Sequence, residues 1–414
     1  MNARKKAYQI LCDVVIEKQY SNLALKKGIK AFDAKDKAFI SNIVYGTIQN
    51  YGYLKYNWKR MVKKGVPKEI EILINMSAYQ LLMNDRIPAY AVINEAVAIA
   101  TDKYEGRFSG LVNAVLRRLN REGMIRPRGE SDESLAIMTS LPLWIVKMWN
   151  AQYGEDVTKK LCKDSCGIAP MYIRVNTLKS SDEELLETGS FKQTDREHTL
   201  IFSGNDIGGS DWFKFGKITV QDYAAQMPVD ILNPQPGERI LDMCSAPGSK
   251  TAQMSAQMHN KGEIIALELH EHRCELTRQN LRRLGCINAE VKQVDATGDL
   301  KELGMFDKIL LDAPCSGYGV LKRKSDIKLH MHNDDMDAII KSQKQLLMNA
   351  DKCLKVNGTL VYSTCTLNKK ENDNQIRDFI KTHDNYEVIN QMTIFPYVHN
   401  CDGFFVCELR KKDN

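Results

Sequence analysis

Two cysteines stand where a thiol is more than filler. Cys315 lies in LLDAPCSGYGVLKR and Cys365 in GTLVYSTCTLNKKEN, and each follows an apolar run at the point where polar residues take over. A cysteine is more often a small buried hydrophobe, and that reading suits Cys12, Cys274, Cys286, Cys353 and Cys407. A thiol in a polar turn after a strand is instead placed to ionise and attack, because the thiolate is the nucleophile and needs exposure and a fixed aim. Thr366 or Asn368 is expected to cap a helix just after Cys365, whose amides would favour the thiolate. Pro314 stiffens the turn before Cys315 and removes one amide donor, so neighbouring carbonyls face a ligand.

Acids recur at comparable places. Asp242 closes an apolar run, and the small-residue loop Cys244, Ser245, Ala246, Pro247, Gly248, Ser249, Lys250 follows it. Gly248 permits close backbone approach, and the helix expected next offers free amides. The loop contains neither GxxxxGK[ST] nor GxGxxG. Glu268 ends the next apolar run, roughly 20 residues on, where an acid accepts both hydroxyls of a ribose. Asp295, or the amide after it, is placed for an adenine amino group, and Asp312 precedes Pro314. One such acid is unremarkable, but several in order along one sheet edge describe an adenosine pocket. Lys250 and Arg323 are either contacts to a cofactor or a phosphate or plain surface charges.

The elements that must position these residues follow from periodicity. From about residue 216, apolar runs (GERILDM, GEIIALEL, AEVKQVDA, FDKILLDA, GTLVYST, GFFVCELRK) alternate with helical patterns such as EHRCELTRQNLRRLG and DDMDAIIKSQKQLLMNADKCLK. That alternation predicts a parallel, doubly wound sheet, whose ligands bind outside the carboxyl ends of the strands. Residues 136–215 mix helix (LPLWIVKMWNAQYG) with strands (PMYIRVNTL, HTLIFSG) and predict a small α+β subdomain. Residues 1–135 read as all-helical, with Pro88 separating two helices, Gly123 stopping another, and GMIRPRGESDES as a linker.

The chain of 414 residues is long enough for two or three domains. No apolar run is long enough for a membrane span, and the N-terminus reads as a mature helix with no signal peptide, so a cytoplasmic location without membrane association is expected. Eleven scattered cysteines argue for free thiols in a reducing compartment. Cys162 and Cys166 have no second ligand pair at zinc spacing, so no metal is expected. The net charge of +6 is uneven: residues 1–130 carry 23 Lys and Arg against 12 Asp and Glu, the remainder 35 against 40. Positive charge confined to one segment suits a polyanion partner or a solvated helical surface.

MCSAPGSKT, DAPCSG and STCT…EN, with ITVQDYAAQMPVDIL as a lead-in helix, resemble in order and spacing the RNA cytosine-C5 methyltransferases that use S-adenosylmethionine. The basic helical N-terminus resembles the NusB fold, and the combination is similar to the members that act on small-subunit ribosomal RNA. The resemblance implies a NusB-like RNA-binding domain (1–135), a small α+β linking subdomain (136–215) and a Rossmann-like class I methyltransferase domain (216–414). It implies methylation of C5 of a cytosine in 16S rRNA through a covalent bond from Cys365 to C6. Cys315 would assist proton removal or release, and Asp312 with the Pro314 carbonyl would hold the cytosine edge. Residues 244–250, Glu268, Asp295 and Asp312 would hold the cofactor. Ser245 and Ser249 depart from the commoner C-A-A-P-G-G-K loop but still fit a close turn. His270 stands where a second acid is often found.

Three rivals remain. Transfer RNA is an alternative substrate. A Rossmann oxidoreductase is disfavoured by the missing GxGxxG. A non-catalytic assembly factor is disfavoured by the intact set Asp312, Cys315 and Cys365.

Overall fold

The computed structural model describes residues 2–84, 87–204, 206–331 and 336–413. The chain divides into two compact units: Met1–Gly167 with Leu321–Met331, and Ile168–Val320 with His332–Asn414. The division falls at 167/168, and it assigns a segment following the Cys315 loop to the first unit.

Among its described residues the first unit is helical throughout. Helix Lys68–Met83 buries Ile70, Ile72, Leu73 and Ile74, and its neighbour Ala89–Tyr104 starts directly after Pro88, as the breaker at that position predicts. Helix Ser109–Glu122 buries Val112, Val115, Leu116 and Leu119 on one stripe and stops at Gly123, whose φ of 70° suits glycine. The expected linker is shorter than its sequence suggests. Ser131 accepts from the Ser134 amide and starts a helix at Asp132. Residues 321–331 join this unit through Lys322 Nζ–Asp164 at 2.6 Å and through Lys328, whose Nζ donates to the carbonyls of Thr139 and Ser165. Among the described residues no helix is long and apolar enough to cross a membrane.

The second unit holds two sheets. The smaller is antiparallel, in order β2-β3-β1-β4, from β1 (Tyr172–Val175), β2 (Phe191–Gln193), β3 (Thr199–Phe202) and β4 (Ile218–Val220). The larger comprises β5 (Arg239–Asp242), β6 (Glu263–Glu268), β7 (Ala289–Gln293), β8 (Phe306–Asp312), β9 (Leu354–Thr364), β10 (Tyr386–Ile394) and β11 (Phe404–Lys411), in order β10-β11-β9-β8-β5-β6-β7. Strands β5 to β9 are parallel. Their side chains alternate between two buried faces. Leu241, Ile265, Ile309, Leu360 and Tyr362 join one core, and Ile240, Ile264, Leu310 and Val361 the other.

The sheet is mixed, not fully parallel. β11 runs antiparallel to β9, and β10 pairs antiparallel to β11 at the edge. Residues 395–403 join β10 to β11, fewer than a parallel crossover needs. β10 went unseen in the sequence because its inner residues are largely exposed and a bulge at Val388/Asn390 breaks their alternation. The helix expected from Asp334 is observed over Met336–Cys353, and its first two expected residues lie outside those described.

Asn176, just past β1, is buried. Its Nδ2 donates to the carbonyls of Gly216 and Leu284, both at 2.7 Å, and its Oδ1 accepts from the Leu178 amide. One side chain thus ties the small sheet to helix Glu271–Leu284. Asn176→Ala strands two buried carbonyls and is expected to cost about 2 kcal/mol or more in urea unfolding of the chain.

Candidate active site at the carboxyl edge of the sheet

Parallel register carries the strand ends to one edge. Asp242 pairs with Ala266 and Leu310, Glu268 with Gln293, and Asp312 with Ser363. Apart from Arg323, the candidate residues named from sequence lie in the second unit.

At the end of β5, Asp242 is buried. Thr251 Oγ1 donates to its Oδ2 at 2.6 Å, and burial pushes its carboxyl up to about 6. The loop then folds back on β6. The amide and hydroxyl of Ser245 both donate to the Leu267 carbonyl, at 2.9 and 3.0 Å. Cys244 is half-buried against the core, and burial raises its thiol. The Ala246–Pro247 peptide is cis, and the Pro247 carbonyl accepts from Asn280. Gly248 has φ 91°, and a Cβ there would stand 2.8 Å from Thr277 Cγ2, so glycine is required. Helix Ser249–Gln257 follows with no side-chain cap, which leaves its leading amides to a ligand. Arg174 supports this start from β1, donating to the Ser249 carbonyl at 3.3 Å and to Gln221 Oε1 at 2.8 Å.

Glu268 is buried at the end of β6, where Oε1 accepts from the His270 amide and Oε2 lies 3.3 Å from Arg273 Nη1. Asp295 is exposed beyond β7. The Thr297 hydroxyl and amide bind its Oδ1 and hold its carboxyl below the usual range. Bare helix amides, a close glycine turn and a strand-end carboxylate are the donor set that an adenosine-bearing cofactor requires, so these residues fit one.

Asp312 is paired on both oxygens: Ser363 Oγ donates to Oδ1 at 2.8 Å and Lys250 Nζ to Oδ2 at 2.6 Å. Lys250 is therefore not a surface charge. Burial opposes its protonation, but the Asp312 carboxylate outweighs that and holds the ammonium above its ordinary value. Arg323 falls instead in the segment belonging to the first unit.

The two thiols meet. Cys315 Sγ and Cys365 Sγ are 3.1 Å apart, both half-buried and neither in a disulfide. Contact with Cys365, then burial, raises the Cys315 thiol well above its ordinary value. The Pro314 carbonyl already accepts from Gln343 Nε2 at 2.9 Å, which leaves one lone pair for a ligand.

The stretch after Cys365 is not the start of solvent. Thr366, Asn368, Glu371 and Asn372 are fully buried. Neither Thr366 nor Asn368 caps a helix: the next one is Asp373–Ile380, with Asn372 at its N-cap and no side-chain cap bond. Thr366 Oγ1 instead meets Ser316 Oγ at 2.7 Å, and Asn368 Nδ2 donates to Glu371 Oε1 at 3.0 Å. Glu371, Gln343 and Ser316 form a polar cluster that sequence reasoning missed, although Glu371 stands inside the STCT…EN motif.

With this geometry in hand, similarity to known proteins is decisive. Residues 229–410 match the family described as 16S rRNA methyltransferase RsmB/F, and residues 1–121 match the NusB family. Residues 141–188 match the ferredoxin-like domain of RsmF/B-like methyltransferases. The probable ribosomal RNA small subunit methyltransferase B of Bacillus subtilis (strain 168) is 33% identical over 446 residues, covering 99% of both chains. The chain belongs to the ribosomal RNA small subunit methyltransferase B family. The Shewanella oneidensis protein of that name is likewise 33% identical, over 434 residues and 99% of both chains. Among solved structures, a methyltransferase homolog from Pyrococcus horikoshii is 28% identical, with a TM-score of 0.62 over 69% of this chain and all of that one. The fold is a NusB helical domain followed by a Rossmann-like methyltransferase domain, and its cofactor is S-adenosylmethionine.

The approach of the two loops depends on Gly319. Its amide donates to the Cys365 carbonyl at 3.0 Å, and its carbonyl accepts from the Gly403 amide at 2.8 Å. A Cβ there would overlap the Gly403 carbonyl oxygen and lie 2.8 Å from the Cys365 carbonyl oxygen. Gly319→Ala is expected to part the thiols and lower methyl transfer about 10²-fold, while equilibrium binding of S-adenosylmethionine stays unchanged.

Proposed function

We propose that the protein methylates C5 of a cytosine in 16S ribosomal RNA, with Cys365 as the covalent nucleophile. Support comes first from the 3.1 Å approach of Cys315 and Cys365 beside the Lys250–Asp312 pair. The names of the relatives, which specify small-subunit ribosomal RNA, support the substrate.

Bound S-adenosylmethionine, held by residues 244–250, Glu268, Asp295 and the Asp312 edge, supplies an electrophilic methyl group. The chain's own residues make C5 able to accept it. Addition of the Cys365 sulfur to C6 pushes an electron pair onto C5, which is otherwise too weak a nucleophile. Asp312, oriented by Lys250, accepts from the exocyclic amine, and the Pro314 carbonyl, which keeps a lone pair beside its bond from Gln343, serves the same base. Once C5 is methylated, its proton passes to a water molecule acting as base, the C–H electron pair forms the C5–C6 double bond, and the C6–S pair leaves with the Cys365 sulfur as thiolate. The Cys315 thiol, 3.1 Å from the Cys365 sulfur, is placed to assist proton removal or release. The target base must be flipped or single-stranded, because C6 is out of reach in a stack. The basic N-terminal segment supplies phosphate contacts that position the RNA, so binding weakens steeply with salt.

Trapping tests the assignment. With S-adenosylmethionine and unmodified ribosomal RNA, Cys315→Ser is expected to accumulate a denaturation-resistant protein–RNA adduct. Cys365→Ser is expected to form none and to lose methylation by on the order of 10⁴-fold. The reverse pattern makes Cys315 the nucleophile. Preferential methylation of transfer RNA moves the substrate, and no methylation by folded protein favours an assembly role.

A further inference from the structure

At the site edge, four hydrogen bonds converge on one carboxylate that no step above uses. Glu371 is fully buried. Oε1 accepts from Ser316 Oγ at 2.6 Å and Asn368 Nδ2 at 3.0 Å. Oε2 accepts from the Ser316 amide at 2.9 Å and Gln343 Nε2 at 3.2 Å. We propose that Glu371 is a positioning residue that clamps the Cys315 loop to the Cys365 loop and places a carboxylate beside the thiol pair.

The four donors come from three places. Ser316 follows Cys315, Asn368 lies three residues past Cys365, and Gln343 sits on helix Met336–Cys353. Gln343 also holds the Pro314 carbonyl, so the clamp reaches both sides of Cys315. The Tyr362 hydroxyl donates to the Glu371 carbonyl at 2.7 Å, anchoring the clamp to β9 itself. Four donors saturate the roughly four acceptor sites of a carboxylate. None of the four is charged, so the buried negative charge rests on neutral dipoles. A neutral acceptor would be less costly to bury if shape were all that mattered. The charge has an electrostatic consequence, because Glu371 is among the groups that raise the Cys315 thiol. The ionisable groups around that thiol are Cys365, Glu371, Asp312 with Lys250 bound to it, and the buried Tyr362 hydroxyl. Glu371 therefore favours the protonated form of Cys315.

This inference rests on the covalent reading, but one of its tests needs no RNA. In a Cys365→Ser chain, alkylation of Cys315 by iodoacetamide is followed against pH by peptide mass spectrometry. Adding Glu371→Gln is expected to move the midpoint down by about one pH unit or more. An unmoved profile overturns the electrostatic role. In the otherwise native chain, Glu371→Gln is expected to lower kcat about 10²-fold with the KM for S-adenosylmethionine unchanged, because the loops shift while the cofactor loop does not. Wild-type kcat in Glu371→Gln, with the adduct still trapped by Cys315→Ser, overturns the clamp and leaves the covalent reading standing. Should Glu371→Gln fail to fold, Ser316→Ala removes one donor and is expected to lower kcat about 10-fold with the same unchanged KM; native kcat there overturns the clamp.

Discussion

Parallel pairing of β8 with β9 is the constraint on which the site depends. Asp312 lies opposite Ser363, so the turns that follow begin side by side at one edge. Cys315 comes three residues beyond one partner and Cys365 two beyond the other. Backbone bonds then draw the turns together, with Gly319 donating to the Cys365 carbonyl and Gly403 donating to Gly319. The thiols are held at 3.1 Å by main chain packed too closely for any side chain at Gly319.

Polar groups buried around this edge reinforce one another. Lys250 and Ser363 share the Asp312 carboxylate, while Ser316, Asn368 and Gln343 share that of Glu371. Such networks are costly when incomplete and rigid when every acceptor is filled. The acids at the ends of β5 and β6 are treated differently. Asp242 is buried with a raised carboxyl and a single Thr251 hydroxyl on Oδ2, while Glu268 lies beside the exposed guanidinium of Arg273. The first is suited to holding the loop, the second to meeting a ligand.

The small antiparallel sheet also acts on the site. Arg174 on β1 reaches the Ser249 carbonyl at the start of helix Ser249–Gln257. Asn176 bonds the end of helix Glu271–Leu284, whose Thr277 packs against Gly248. The four-stranded sheet thus braces the loop at 244–250.

Much of this was legible in the sequence. Apolar runs alternating with helical periodicity are dictated by local chemistry, so the strands β5 to β9, the loop at 244–250 and the acids at 268, 295 and 312 could be read from it directly. Cys315 and Cys365 each follow one of two strands that succeed one another in the sequence, and parallel pairing of those strands sets the two turns at one edge. Three things could not be read. β10 lacks alternation because it lies at an edge with one bulge, and only its pairing with β11 makes it a strand. The antiparallel return depends on a connection too short to cross the sheet. NKKEN looks like a solvated run, yet Glu371 and Asn372 are fully buried while Lys370 is exposed. Burial of a polar residue is decided by partners that are distant in the chain. Ser316 lies 55 positions from Glu371 and Gln343 lies 28, so only the folded chain brings these donors together.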